Sequence, residues 1–321
     1  MLTAYNEQLE QVFAQHASKQ EQYFCPICKA AVILKQGTTK NAHFAHQSNL
    51  HSARQMKGES EQHHRCKSHL YLQLKESHAD VKLEPYLKAI NQIPDLIVGR
   101  WALEIQLSMI SCKRMRQRTV GLTQLGYYVL WLTALPKIKQ GRFILTQLHQ
   151  QAILPESYSL FCINTETDSI YRISQLVPLT ATQFYGEMTA IPVAQLCHYL
   201  SHQTPEEMIV RKLSTATILS YIRQCRQKNN VREPTISLLY QLQLTDEQVI
   251  KLTGFLFPEQ IYIRTHPVLW QLWILKSIQS QVPSHALLAK NIKLRQFAVK
   301  EVNASKLINT IVARYIKFLN L

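Results

Sequence analysis

The sequence lacks any long hydrophobic run. Its longest apolar stretch, residues 127–136, is about half the length that an α-helix needs to cross a bilayer. No basic segment followed by an apolar run opens the chain, so we expect no secretory signal peptide. The seven cysteines are odd in number and widely scattered, which argues against a disulfide framework and favours a reducing compartment. We therefore expect a cytoplasmic protein without membrane insertion.

Acidic residues are few relative to basic ones. The 321 residues include 36 Lys and Arg against 21 Asp and Glu, a formal charge of +15. The hydrophobic fraction of 46% is that of a folded globular protein, and the length is enough for two or three domains. This balance indicates nucleic acid as the leading partner.

A set of cysteines and histidines in the first fifty residues has the spacing of a metal site. Its members are Cys25, Cys28, His43 and His46. Two thiolates and two imidazoles form a tetrahedral zinc set, so the sequence predicts a structural zinc site. Zinc fingers usually have more than two residues between the histidines, which makes His51 an alternative to His46. Residues 1–20 are predicted to form a short polar helix or an arm.

A segment in the first half of the chain predicts a β-hairpin with a two-residue turn at Gly99 and Arg100. Glycine at the first central position suits a type II′ loop. Counting outward from this turn places Asp95 opposite Glu104, with Gln106 on the same face. Two carboxylates opposite each other repel unless a cation lies between them, and Mg²⁺ prefers carboxylate oxygens.

This arrangement resembles the PD-(D/E)-x-K nuclease motif, with Gln106 in the position where the motif most often has lysine. The resemblance implies that Asp95 and Glu104 hold Mg²⁺ or Mn²⁺ and that the metal activates a water. An amide has no charge, so Gln106 can only orient that water by hydrogen bonding. We therefore expect slow or conditional cleavage. Glu61, at a predicted helix start, is the predicted third carboxylate.

The elements around the hairpin predict the order helix, strand, strand, strand, helix, strand. Ser60 is a predicted N-cap, followed by an apolar row of Cys66, Leu70 and Leu74. A second helix is predicted from Ser111, and the continuous apolar run after it predicts a strand buried on both faces. This αβββαβ order is the core of the restriction-endonuclease-like fold. We predict an α/β protein with that core.

The start of the second predicted helix is strongly basic. Its cationic residues are Lys113, Arg114, Arg116 and Arg118. They are predicted to contact DNA phosphates, and the alternative is an ordinary solvated helix start.

The combination of these motifs resembles the competence protein CoiA family, which is associated with natural transformation in bacteria. The resemblance is carried by Cys25 to Cys28, His43 to His46, Glu59 to His63 with Lys67, Asp95, Glu104 to Ser108, and Tyr128 to Leu132. It implies a cytoplasmic protein that acts on incoming DNA, single-stranded or a recombination intermediate, as a Mg- or Mn-dependent nuclease or processing factor. One alternative is a catalytically inactive DNA-binding adaptor that recruits recombination proteins. Another is a defence nuclease of the same fold.

The composition shifts after residue 204, where Gly254 is the only remaining glycine. Helix starts at Thr204 and Thr245 predict an all-helical domain without a catalytic set. Its aromatic residues are expected in the core rather than in a base-stacking surface; they are Phe255, Phe257, Trp270 and Trp273. We predict three domains: a zinc-binding module at 1–50, a nuclease-like domain at 51–190 and a helical domain at 191–321.

Overall fold

The computed structural model describes residues 1–37, 41–46, 60–78, 80–201, 209–228, 230 and 232–320. The chain divides into two compact units. The first comprises Met1–Leu135, Phe161–Arg172 and Thr189–Gln203, and the second comprises Pro136–Leu160, Ile173–Met188 and Thr204–Leu321. The alternative zinc ligand His51, Glu59 of the family motif and the predicted helix start at Thr204 lie outside the described residues. The three domain boundaries stay predictions.

The first unit begins with a five-stranded antiparallel sheet in the order β2-β1-β3-β4-β5. Its strands are β1 (Thr3–Tyr5), β2 (Gln11–Phe13), β3 (Tyr23–Phe24), β4 (Ala31–Lys35) and β5 (His43–His46). The prediction of a helix or an arm for residues 1–20 is wrong. Leu2 and Ala4 are both fully buried, and their spacing of two places them on one side of an extended chain.

The helices and strands that follow confirm the predicted αβββαβ order. They are α1 (Glu61–Ser77), β6 (Val81–Leu83), β7 (Leu96–Val98), β8 (Trp101–Gln106), α2 (Cys112–Gln124) and β9 (Tyr128–Ala134). β7 and β8 pair antiparallel, β8 and β9 pair parallel, and β12 (Leu160–Ile163) pairs parallel with β9. In this part of the sheet the strand order is β12-β9-β8-β7-β6, so β8 lies between β9 and β7.

Local sequence signals explain where these elements begin and turn. The side chain of Ser60 accepts a hydrogen bond from His63 N at 3.2 Å, and Ser111 caps α2 in the same way. Gly99 has φ +52°, a left-handed value that glycine adopts without strain. The hairpin pairs Val98 with Trp101 and Leu96 with Leu103. The predicted turn and register are therefore confirmed.

The first unit also contains α4 (Leu196–Ser201). The second unit contains strands β10 (Lys137–Lys139) and β11 (Arg142–Ile144) with α3 (Gln147–Ala152). Residues of β13 (Ile170–Pro178) and β14 (Gln183–Ile191) occur in both units.

The rest of the second unit is mostly helical. Its elements are β15 (Arg211–Lys212), α5 (Thr215–Gln227), α6 (Pro234–Leu242), α7 (Asp246–Leu252), β16 (Phe255–Leu256), α8 (Pro267–Gln279), α9 (Ser284–Asn291) and α10 (Ala304–Leu319). Phe255, Phe257, Trp270 and Trp273 are all at most 8% exposed, which confirms their predicted place in the core. Within the described ranges, no helix is long and apolar enough to cross a membrane.

Candidate functional site

The two carboxylates of the predicted motif lie together at the open end of the β7–β8 hairpin. Asp95 directly precedes β7 and is 6% exposed, while Glu104 on β8 is 2% exposed. Asp95 Oδ2 accepts a hydrogen bond from Ile105 N at 2.8 Å, which holds the carboxylate against β8. Burial raises the pKa of Glu104, and the negative charge of Asp95 adds to that rise.

Lys67 brings a positive charge to these carboxylates from α1. It is fully buried, and its ammonium donates to Asp95 Oδ1 at 3.0 Å and to Glu84 Oε1 at 2.5 Å. Helical spacing explains its position, because Lys67 lies three and seven residues before Leu70 and Leu74 on the buried stripe of α1. A buried ammonium is costly unless it is paired, so these two contacts are what make the position tolerable.

Glu84 connects this site to the N-terminal sheet. It follows β6 with φ +45° and is 3% exposed. Its Oε2 accepts hydrogen bonds from Leu2 N at 2.7 Å and Thr3 N at 2.9 Å. One carboxylate therefore fixes both the buried lysine and the first strand of the five-stranded sheet.

Glu104 is held by Arg118 of α2. The Arg118 guanidinium donates to both Glu104 carboxylate oxygens, at 2.7 and 2.6 Å from Nη2. Burial raises the pKa of Glu104 to about 7, with Arg118 acting against that rise and Asp95 adding to it. Arg118, predicted from the sequence as a DNA contact, thus lies against a predicted metal ligand.

The buried charges around Asp95 and Glu104 do not cancel. We call Lys67, Glu84, Asp95, Glu104 and Arg118 the acid site. Three carboxylates and two cations leave one negative charge in excess when all five are ionised. Carboxylate oxygens are the ligands that a divalent cation prefers, but the oxygens of Asp95 and Glu104 already accept hydrogen bonds from Lys67, Ile105 N and Arg118. Among the described residues, no three ligand atoms of this site lie within 4.8 Å of one another, so a cation here would have to draw the carboxylates closer together.

His63 is a further donor beside the acid site. Its Nε2 lies 3.3 Å from Asp95 Oδ2, and its side chain is 14% exposed. His63 precedes Lys67 by four residues on α1, which places both side chains on one face of the helix. An imidazole at this position can bind a divalent metal or orient Asp95.

The remaining predicted residues are mostly exposed. Glu61 is solvent exposed at the first position of α1. Gln106 donates to Ser108 O at 2.7 Å in the loop after β8. Lys113 and Arg114 are exposed on α2, and Arg116 is partly exposed.

Three of the four predicted zinc ligands come together in the N-terminal sheet. Among the described residues, Cys25, Cys28 and His46 offer ligand atoms that all lie within 4.8 Å of one another. Cys28 Sγ lies 3.3 Å from His46 Nε2. Two thiols and an imidazole are the donors that zinc prefers, so this set fits the metal.

His43 lies outside that group. A separation of three residues along β5 places His43 and His46 on opposite faces of the strand. The His43 ring instead contacts Asn41 O at 3.0 Å through Nδ1, and it lies 4.9 Å from the ring of His64. The candidate zinc group therefore includes His46, whose spacing is the less usual for a zinc finger, and leaves out His43.

The sequence analysis assigned no chemical role to Lys67, Glu84 or His63, although His63 and Lys67 are among the residues that carry the family resemblance. The signal for Lys67 was present, because its helical spacing puts it on the stripe that Leu70 and Leu74 define. Glu84 had no such signal, since its partners lie 17 residues before it on a helix and more than 80 residues before it on a strand.

Comparison with known proteins defines the class. Residues 59–205 match the family model of the competence protein CoiA nuclease-like domain, and residues 6–54 match that of the CoiA N-terminal domain. The αβββαβ region with its acid site therefore lies in a nuclease-like domain. No solved structure matches the chain.

A curated relative gives the same result. Competence protein CoiA of Bacillus subtilis (strain 168) is 32% identical over 183 residues, which cover 54% of this chain and 49% of that protein. The aligned region thus spans about half the length of the relative. The chain belongs to the competence protein CoiA family.

Proposed function

We propose that this protein is a metal-dependent deoxyribonuclease that processes DNA taken up during natural transformation, acting in the cytoplasm. The observation that carries the proposal is the buried pair of Asp95 and Glu104 on a hairpin inside a nuclease-like domain. The restriction-endonuclease-like fold is part of the proposal, supported by the αβββαβ order and by the parallel pairing of β8 with β9.

In this proposal Asp95 and Glu104 hold Mg²⁺ or Mn²⁺, and His63 orients Asp95, since its Nε2 lies 3.3 Å from Asp95 Oδ2. Glu61, the predicted third carboxylate, is exposed at the start of α1. The metal would lower the pKa of a bound water and neutralise charge on the phosphate and the leaving oxygen. Arg118 keeps the Glu104 carboxylate oriented through its bidentate contact.

Lys67 supplies the charge that Gln106 lacks. In the PD-(D/E)-x-K motif the lysine lies two residues after the second acid, where this chain has an amide that bonds to Ser108. Lys67 places an ammonium 3.0 Å from Asp95 from a different element, α1. Glu84 acts as a positioning residue, because it holds the other side of the same ammonium.

The zinc module has a structural role in this proposal. Zinc at Cys25, Cys28 and His46 would join β3, β4 and β5, which are too short to bury a large core. The same sheet presents the Leu2 and Thr3 amides to Glu84. Loss of the metal should therefore loosen the sheet that positions Glu84.

The competing function is a DNA-binding adaptor without catalysis. It is favoured by Gln106 in the lysine position and by the cationic partners that both acids already have. A nuclease assay separates the two, with single- and double-stranded DNA, Mg²⁺ or Mn²⁺, wild type and Asp95→Ala. Glu76→Ala is the matched control, because Glu76 is an exposed acid on α1. The nuclease proposal expects metal-dependent cleavage by wild type and Glu76→Ala, and none by Asp95→Ala.

A further inference from the structure

A cavity of about 640 Å³ lies at the turn of the β7–β8 hairpin. Small-molecule sites typically have volumes of about 300–1,000 Å³, so this one is large enough for a nucleotide-sized ligand. Its polar and aromatic lining includes His78, Asp80, Arg100, Trp101, Tyr128 and Ser201. All of these residues belong to the first unit.

Two aromatic rings and a guanidinium are assembled on one side of this cavity. The β8–β9 register pairs Trp101 with Tyr128, and their ring centroids lie 5.1 Å apart at an interplanar angle of 37°. The Arg100 guanidinium carbon lies 5.2 Å from the Tyr128 ring centroid, within cation–π range. We call Arg100, Trp101 and Tyr128 the stacking site.

These rings are not part of a hydrophobic core. Tyr128 is 52% exposed and Trp101 is partly exposed, whereas Trp131, Trp270 and Trp273 are at most 8% exposed. Aromatic surface that stays exposed contributes little to the stability of the fold, and at a cavity it is available to stack on a planar ligand.

The charges at the cavity suit a phosphate. Arg100 is exposed at the hairpin turn, and it forms no ion pair within the part of the chain that the structure describes. Asp80 is the acid of the lining, and it lies 3.5 Å from the ammonium of Lys82. Arg100 can therefore bind an anion, while Asp80, His78 and Ser201 offer hydrogen-bonding groups for a base edge.

We propose that the stacking site binds an unpaired nucleotide of single-stranded DNA. The inference rests on the proposed function, which makes DNA the substrate, and it adds the residues that would recognise an unpaired base. An unpaired base can stack one of its faces on the exposed area of Trp101 and Tyr128, and Arg100 binds the adjoining phosphate. A base in a duplex is stacked between its neighbours and must first be extruded at an energetic cost.

The stacking site is separate from the acid site. Trp101 precedes Glu104 by three residues on β8, so their Cα atoms lie about 10 Å apart along the strand and their side chains face opposite sides of the sheet. The stacking site therefore retains the strand and takes no part in cleavage. Binding and cleavage can be measured as independent properties.

The test is a titration of the full chain with poly(dT) in the absence of divalent metal, in which binding is measured by tryptophan fluorescence. Poly(dT) should quench part of the emission, and Trp101→Phe should lose that quenching because the other three tryptophans are buried. Tyr128→Leu should weaken binding about 5- to 150-fold, and Arg100→Ala should weaken it and lower its salt dependence. Tyr128→Phe should bind like wild type, because it keeps the ring.

Tyr185→Leu is the matched control, because Tyr185 is 41% exposed and also carries an arginine, Arg211, 5.3 Å from its ring centroid. It should bind poly(dT) like wild type. Equal binding of duplex DNA or of the free mononucleotide dTMP would overturn the proposal, as would Tyr128→Leu binding like wild type. Binding that depends on Tyr128 without any metal-dependent cleavage would support this inference and refute the nuclease proposal.

Discussion

The ammonium of Lys67 lies 3.0 Å from Asp95 Oδ1, although the two residues come from a helix and a hairpin 28 positions apart. The same ammonium lies 2.5 Å from Glu84, whose other oxygen accepts hydrogen bonds from the N-terminal sheet. A chain of contacts thus joins the sheet that carries the candidate zinc ligands to the carboxylate predicted to bind the catalytic metal. Each of these contacts can be tested separately.

Replacing Lys67 should strongly destabilise the protein. Lys67→Met leaves Glu84 and Asp95 buried without their common cation, and breaking a buried pair in this way costs about 3–5 kcal/mol. Adding Glu84→Gln should recover part of that loss, since it removes one of the two unpaired charges. Urea denaturation measures both variants. Lys82→Met is the control, because Lys82 forms an exposed pair that should contribute at most about 1 kcal/mol. A cost for Lys67→Met no larger than that of the control would contradict this assignment.

Stability should depend on pH through Glu104. Its folded pKa is about 7 against an ordinary value of 4.5, so the folded state binds this proton more tightly than the unfolded state. The contribution of Glu104 to the free energy of unfolding is therefore complete below pH 4.5, falls as pH rises, and is lost above pH 7. The total change is on the order of 3 kcal/mol. Metal-free melts of wild type and Glu104→Gln across this range should differ in slope, with Glu76→Gln keeping the wild-type slope. Parallel curves for wild type and Glu104→Gln would refute the shift.

Zinc content should depend on His46 and not on His43. Protein purified without chelators should contain about one zinc per chain, and Cys25→Ser and His46→Ala should lose it, because their ligand atoms belong to the three-residue group. His43→Ala is the matched control from the same strand and should retain the metal. Metal analysis by mass spectrometry gives the result. Absence of zinc from the wild type, or its loss from His43→Ala alone, would contradict the assignment.

DNA binding should be sensitive to salt through the exposed start of α2. Removing Arg114 and Arg116 together should weaken binding to all sequences alike and flatten the salt dependence by about one unit for each phosphate that is no longer neutralised. Lys290→Ala with Lys293→Ala removes the same charge from an exposed part of the second unit and should change the slope less. Fluorescence anisotropy at several salt concentrations measures both. If the two double variants have equal slopes, the phosphate surface lies elsewhere.

Local rules were enough to predict the hairpin and the helix starts. The two-residue turn at Gly99 and Arg100 determines the register by counting, and Ser60 and Ser111 cap their helices with their own side chains. The alternation of a strand also separates His43 from His46, because an odd separation of three residues places them on opposite faces. These features depend on neighbours within a few residues.

The contacts of the acid site could not be derived in that way. The position of Glu84 depends on a left-handed backbone after β6 and on amides more than 80 residues away. Arg118 was predicted to contact DNA because its sequence neighbours are basic, whereas the fold turns it toward Glu104. The spacing of Lys67 from Leu70 and Leu74 agrees with its burial, but no local pattern indicates its two partners.

The proposed nuclease function depends most directly on a divalent cation at Asp95 and Glu104. The measurement is the thermal unfolding of wild type, Asp95→Asn and the exposed control Glu76→Gln, with and without Mn²⁺, together with DNA cleavage by the same samples. We expect Mn²⁺ to raise the melting temperature of wild type and of Glu76→Gln by an amount set by its concentration over Kd, and to support cleavage by both. Asp95→Asn should remain folded, gain no stability from Mn²⁺ and cleave nothing. A wild type that gains no stability from Mn²⁺ and cuts neither single- nor double-stranded DNA would contradict the account and favour the adaptor.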